Sequence, residues 1–277
     1  MGKKHNFFEI PIEVWRNKRL TLSLAKNDFK MRFAGSYLGI IWAFVQPIVT
    51  VLVYWFVFEK ALNVGTQSTK AGIQAPYVLW LIAGLVPWFF FSEVLSKGTD
   101  TLVDYSYLVK KVVFNISVLP IVKILSSVYV HLFFVGFMFL MYIGYGYTPT
   151  LYMLQIIYYS LAMILLCVGL IYATSAIVVF FRDLSQIVGI LLQVGIWATP
   201  IMWNMDAMTS IPNVVLVVLK LNPMYYIVSG YRDALLNQVW FWEKPRLTIY
   251  YWIVVVLIYL LGTTIFRKLK VHFADVL

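Results

Sequence analysis

The chain has 277 residues, of which 62% are apolar, 18% aromatic and only 12% charged, with a formal net charge of +10. A mean hydropathy of +0.83 excludes a soluble domain, because a water-facing surface needs about twice that share of charged residues. The basic residues stand at the ends of apolar runs and the aromatics lie inside those runs. That pattern excludes a nucleic-acid surface, where the two would be interleaved on a soluble face.

The first thirty residues carry Lys3, Lys4, Arg16, Lys18, Arg19, Lys26 and Lys30 with no apolar stretch among them, so no cleavable leader is expected. Trp15, Leu22, Phe29 and Phe33 follow at separations of seven, seven and four, which places them on one helical face. Arg19, Lys26 and Lys30 flank that face and can reach lipid phosphates. Residues 1–36 are therefore predicted to be a tail and an amphipathic helix in the membrane interface, ending near Gly35.

A helix needs about 20 largely apolar residues to cross the hydrocarbon core. Runs of this kind occupy 37–58, 77–95, 119–142, 151–181, 187–203 and 249–266, the fifth being only just long enough. No ten-residue alternation recurs as a membrane barrel requires. The predicted fold is an all-α polytopic membrane protein of six transmembrane helices over 37–266, with a short tail at 267–277.

The segment 204–246 is not ordinary loop sequence. Its stretch 211–221 is apolar but too short to cross, and 224–242 is aromatic-rich but interrupted by Tyr231, Arg232, Asp233, Asn237 and Gln238. Pro212 and Pro223 can each open a helix. Two short helices forming a re-entrant hairpin in the outer leaflet are expected. Lys and Arg total sixteen on the N-terminal side of the spans and six on the other, so both termini are expected to be cytoplasmic in the cell membrane.

Chemistry-bearing groups are sparse. Most of the twelve acidic residues lie in tails, loops or span ends, and no HExxH, GxSxG or paired-Asp motif for a metal-bound diphosphate is present. His131 in mid-span reads as a hydrogen-bonded packing residue, and the lone Cys167 reads as a small core residue. No GxxxxGK[ST] occurs, so nucleotide energy, if used, must come from another polypeptide. No metal site and no enzyme activity are expected in this chain.

Glu93 and Lys97, spaced i, i+4, read as an interfacial ion pair. Arg182-Asp183 after Phe180-Phe181 marks a tight turn that can also dock a partner. Trp80, Trp88, Trp197, Trp203, Trp240 and Trp242 lie near span ends, as an interface belt would. Tyr129, Tyr158, Tyr159 and Tyr172 lie deeper; packing or a channel of aromatic faces for sugars are the two readings.

Several segments in order resemble the membrane subunit of ABC-2 type polysaccharide exporters. They are Arg32-Phe33-Ala34-Gly35-Ser36-Tyr37-Leu38-Gly39 with Trp42 and Gln46-Pro47; Leu108-Val109-Lys110-Lys111-Val112-Val113-Phe114 ahead of Pro120; Phe181-Arg182-Asp183-Leu184; Thr199-Pro200-Ile201; and Leu221-Asn222-Pro223-Met224-Tyr225-Tyr226 with Tyr231-Arg232. A narrower likeness, to the permeases that translocate wall teichoic acid, rests on Val53-Tyr54-Trp55-Phe56-Val57-Phe58, Asn222-Pro223-Met224-Tyr225-Tyr226-Ile227 and His272-Phe273-Ala274-Asp275-Val276-Leu277. One departure is Phe114-Asn115, where Phe-Pro is common in the wider family.

The resemblance implies a homodimer of six-span subunits joined to two copies of a separate ATPase, which would hold ATP and Mg. It also implies a lipid-linked polymer as cargo, diphospholipid-linked teichoic acid on the narrower likeness and O-antigen or capsule otherwise. Under that reading Phe29, Arg32, Gly35, Lys110, Lys111, Phe114, Arg182 and Asp183 couple to the ATPase. Asn222, Pro223, Tyr225, Tyr226, Tyr231 and Arg232 form an exit gate, where Arg232 meets polymer phosphates or pairs with Asp233 of the same or the other subunit. A secondary transporter would want mid-membrane ionisable residues and an internal repeat; Glu93 and Lys123 lie near span ends, and the two halves show no repeat.

Overall fold

A computed structural model describes residues 9–32, 34–68, 72, 74–110, 115–205 and 212–277. The described residues are helical apart from loops and a two-residue ladder, in which β1 (Gln67–Ser68) pairs antiparallel with β2 (Gln74–Ala75). This ladder lies in the loop after the first span.

The chain enters through α1 (Glu9–Arg16) and α2 (Lys18–Met31). One continuous helix is expected here, but it breaks at Asn17, whose amide donates to the Glu13 carbonyl at 2.8 Å and competes with the backbone ladder. The face of α2 turned to the bundle is Thr21, Ala25 and Asp28, while Trp15 and Leu22 stay exposed. Trp15 and Leu22 of the apolar stripe therefore face away from the protein, where lipid would meet them, while Phe29 turns in toward α7 and Phe33 lies outside the described residues.

Among the described residues five helical stretches are long and apolar enough to cross a membrane: Gly39–Ala61, Tyr77–Thr99, Ile116–Gly144, Leu151–Val178 and Pro245–Lys270. Their cores are α3 (Trp42–Trp55), α4 (Tyr77–Thr99), α7 (Leu119–Gly144), α8 (Gln155–Val178) and α12 (Pro245–Lys270); α5 (Thr101–Asp104) and α6 (Ser106–Val109) connect α4 to α7. The remaining predicted span is shorter than expected. Its helix, α9 (Leu184–Ala198), has 15 residues and stops at Thr199-Pro200, because the residue before proline is pushed to extended backbone, as Thr199 is at φ −93 and ψ 125.

Proline and capping chemistry set the other starts. Pro120 and Pro245 sit in the first turns of α7 and α12. At the family's Phe-Pro position, the Asn115 side chain accepts from Ser117 N at 3.1 Å and caps the turn that leads into α7. The segment predicted to be re-entrant forms two short helices, α10 (Asn213–Lys220) and α11 (Pro223–Arg232), which with its extension to Asn237 makes an 87° bend against α10. Asn222 accepts from Met224 N at 3.0 Å and so caps α11, and Pro223 is its first residue.

The core is α4, buried on nearly all sides, with α7, α8, α11 and α12 around it. Trp80 and Trp88 are part of that core rather than of an interface belt, whereas Trp197 and Trp242 are exposed. Cys167 is buried in the same core. In α3 only Val51 is buried, and in α9 only Val188.

Lipid is as apolar as leucine, so close van der Waals approach holds membrane helices together. The tightest contact joins α8 and α12, where a Cβ on Gly262 would lie 2.0 Å from the Gly169 carbonyl oxygen. Gly262→Ala is expected to force the helices apart at a cost of about 1–3 kcal/mol, read as a lower midpoint of thermal unfolding in detergent. Gly136→Ala, whose Cβ would meet nothing within 4 Å, is the control and is expected to leave the midpoint unchanged.

Candidate functional site

Two polar assemblies occupy opposite ends of the bundle. The first lies where α2 meets α4 and α7. Asp28, on the bundle-facing side of α2, accepts from Ser126 Oγ at 2.6 Å and from Tyr105 OH at 2.7 Å. It also faces Lys123 at 2.9 Å and Arg32 at 3.4 Å.

Arg32 pairs with Glu93 of α4 and donates to Ser126 and Ser127 at 2.5 and 3.1 Å. Glu93 takes the expected Lys97 at 3.0 Å, and Lys123 reaches Asp104 at 3.2 Å. Three cations and three carboxylates thus balance across α2, α4, α5 and α7.

Burial would raise the Asp28 carboxyl, but the Ser126 and Tyr105 hydrogen bonds and the Lys123 charge outweigh it and hold Asp28 below its ordinary 3.8. Beside this cluster a cleft of about 450 Å3 runs between α3, α4, α7 and α9. Its wall mixes aromatic faces such as Trp42 and Phe90 with polar groups such as Gln46, Glu93 and Lys97.

The second assembly surrounds α11. Tyr226 OH lies 3.0 Å from Tyr158 OH and 3.1 Å from Thr248 Oγ1. Tyr231 OH lies 2.6 Å from Ser160 Oγ and 3.2 Å from His131 Nε2. His131 is thus the hydrogen-bonded packing residue its position suggests.

Asn222 donates to Thr199 Oγ1 at 2.8 Å. Arg232 is only 8% exposed, its guanidinium 3.3 Å from the Trp80 ring centroid. It donates from Nε to the Trp80 carbonyl at 3.3 Å, from Nη1 to Pro200 at 2.6 Å and from Nη2 to Ile201 at 2.8 Å. Pairing with Asp233 of the same subunit is corrected: Asp233 pairs with Lys244 and accepts from Asn237 at 2.8 Å.

The predicted coupling residues divide by place. Phe29 packs its ring 5.4 Å from Tyr129, linking α2 to α7, and Arg32 is in the charge cluster. Gly35, exposed at φ +85, turns the chain from α2 toward α3 in a conformation that favours glycine. Lys110, Arg182 and Asp183 are exposed at that same end; Lys111 and Phe114 lie outside the described residues.

The six gate residues come together on or beside α11, with Pro223 and Tyr225 half-buried. Tyr129 and Tyr158 keep exposed surface. Tyr159 and Tyr172 do not: Tyr159 lies under Gly230, and Tyr172 donates to the Ser117 carbonyl at 2.6 Å with its ring against Phe266. Both have no ring face open within the subunit, which is the packing reading and a correction to the channel reading.

Sequence reasoning missed Asp28 and Lys123 as cluster members. They lie 95 residues apart, and no local spacing joins them. The sole available signal for Asp28 was an acid on an otherwise basic helix.

A family described as ABC-2 type transporter matches residues 19–236. The O-antigen export system permease protein RfbA of Klebsiella pneumoniae is 26% identical over 259 residues, covering 93% of this chain and 95% of that protein. A protein of the same description from Myxococcus xanthus is 26% identical over 220 residues, covering 79% and 81%.

Proposed function

The chain belongs to the ABC-2 type transporter family, and from that premise we propose that it is the permease subunit of an ATP-driven exporter of lipid-linked polymer across the cell membrane. The match over residues 19–236 carries the reading. The relatives that span nearly the whole chain are named as O-antigen export permeases, which supports a polysaccharide cargo. The sequence has no Walker-type ATP motif, so ATP and Mg would sit on a separate ATPase subunit.

In this reading two copies of the chain associate through α3 and α9, apolar helices of which their own subunit buries only Val51 and Val188. The end bearing α2 and the Arg182-Asp183 turn faces the cytoplasm and receives the ATPase. The charge cluster makes α2, α4, α5 and α7 move together, so a push on that end reaches the spans. The hairpin at the far end closes the exit. Co-expression with an ABC-type ATPase and reconstitution tests the proposal: ATP-dependent export is expected from the complex, and transport by the isolated chain on a proton or sodium gradient would overturn it.

Arg182 and Asp183 are exposed, with no ion-pair partner among the described residues. Docked against the ATPase, Asp183 would be buried, and truncating one member of a buried charge pair costs about 2–5 kcal/mol. Asp183→Ala is expected to cut export by about ten-fold or more while membrane insertion stays normal. Full export by that variant would remove the turn from the coupling route.

Two cargoes share this mechanism. Wall teichoic acid follows from the narrower sequence likeness around Tyr54, Asn222 and His272; an O-antigen-type glycan follows from the names of the relatives. Supplying one and then the other lipid-linked polymer to the reconstituted complex separates them.

A further inference from the structure

Under the hairpin a second cavity of about 320 Å3 lies among α10, α11, the segment after α9 and the start of α12. Its charged wall residues are Lys220, Arg232 and Lys244 against Asp233 alone. Asp233 is already neutralised by Lys244. Arg232 and Lys220 therefore remain without a carboxylate among the described residues.

Arg232 is the informative member. Its acceptors are main-chain carbonyls, which satisfy hydrogen bonds without cancelling the charge. A guanidinium has five N–H donors, and the carbonyls of Trp80, Pro200 and Ile201 engage three. Those carbonyls and the Trp80 face hold it rigidly, so the two remaining donors are fixed in direction before any ligand arrives. Lys220 stands exposed on the cavity rim. A rigid buried guanidinium with a flexible ammonium at the mouth suits one ligand class, an oxyanion that takes directed hydrogen bonds and a second mobile charge.

We propose that this cavity binds a phosphodiester group. Resting on the exporter reading, this makes it a subsite for the phosphate linkages of a polymer leaving the far end, and favours a phosphate-bearing polymer over a neutral glycan. The headgroup of a phospholipid in the far leaflet presents the same chemistry and is the other source.

The test is calorimetric binding to the full chain in a maltoside detergent, which carries no phosphate. The probes are a glycerol-phosphate oligomer, a neutral oligosaccharide of equal length and short-chain phosphatidylglycerol. A phosphate probe is expected to bind and the neutral one not to. Lys220→Gln is expected to weaken binding about three-fold and Lys220→Glu about ten-fold, with affinity falling as salt rises. Lys220 is exposed, so these variants keep the fold.

Tighter binding of the oligomer than of the lipid assigns the site to cargo, and the reverse order assigns it to the leaflet. Equal binding of the neutral oligosaccharide, unchanged affinity in Lys220→Glu, or no binding of either phosphate probe overturns the proposal. Binding is read without ATP or a companion subunit. A missing phosphodiester site thus leaves the exporter reading standing, and an intact site in a complex that does not export leaves the site standing.

Discussion

Asp28→Ala is expected to release α2 from the bundle. The carboxylate lies between Lys123 at 2.9 Å and Arg32 at 3.4 Å, and both of those side chains are only 9% exposed. Without Asp28 the two cations face each other across a space that water barely enters. Removing one partner from a buried ion cluster costs about 3–5 kcal/mol, because the charge left behind has lost both its hydration and its counterion.

Part of that cost is offset. Lys123 keeps the half-exposed Asp104 and Arg32 keeps Glu93, so the lower part of the range is expected. Asp28→Asn, which retains polar contacts to Ser126 and Tyr105, is expected to fall between alanine and wild type. Protease accessibility of residues 18–31 and the unfolding midpoint in detergent are the measurements, and undiminished protection of α2 in Asp28→Ala would contradict the role given to the cluster.

The pH dependence has a definite sign. The folded state holds Asp28 below its ordinary value of 3.8. Its contribution is therefore complete above that value and is lost as pH falls through the lower folded value. Docking of α2 is expected to be flat from neutrality down to about pH 5 and to weaken only in stronger acid, with the weakening absent in Asp28→Asn.

The second large effect concerns Arg232→Met. The replacement keeps much of the apolar stem over Trp80 but leaves the carbonyls of Pro200 and Ile201 without their donor. Those carbonyls follow the break that ends α9, so no next helical turn supplies an N–H in place of the guanidinium. Each buried acceptor left unpaired costs about 1–3 kcal/mol, which gives a loss of roughly 3 kcal/mol or more. Arg232→Lys keeps the charge but cannot fork to two carbonyls at once, and is expected to recover less than half of it. A crosslink between cysteines placed in α11 and after Pro200 reports the loss directly, and an unchanged crosslinking yield in Arg232→Met would show that the carbonyls find other donors.

Much of the fold was legible because lipid imposes it. Length and apolarity located the spans, and Pro212 and Pro223 located the two short helices after α9. What failed depended on information that a linear pattern does not carry. Trp80 and Trp88 lie near the ends of an apolar run, yet which side of a helix meets protein is decided by neighbours distant in sequence; both are buried.

The fifth span was read past Thr199-Pro200, because apolar composition continues to Trp203 although helical backbone does not. For Arg232 the sequence suggests a carboxylate or a phosphate and gives no sign of the main-chain carbonyls that hold it. Main-chain carbonyls released by a proline break thirty residues earlier leave no mark in composition. The charge cluster was half visible. The i, i+4 pair Glu93–Lys97 could be read directly, and the members contributed by α2 and α7 could not.

The placement of α11 bears on how the molecule is made. This helix comes late in the chain, yet it packs against α4 and α8, which are synthesised well before it. Until about residue 235 has left the ribosome, His131 and Ser160 wait without their tyrosine and the groove that α11 occupies stands open. Insertion and completion are therefore separate events. A nascent chain halted after α9 would be threaded through the bilayer with the groove beside α4 and α8 unfilled, an open target for membrane quality control, and a peptide equivalent to residues 212–277 supplied in trans is the piece that would close it.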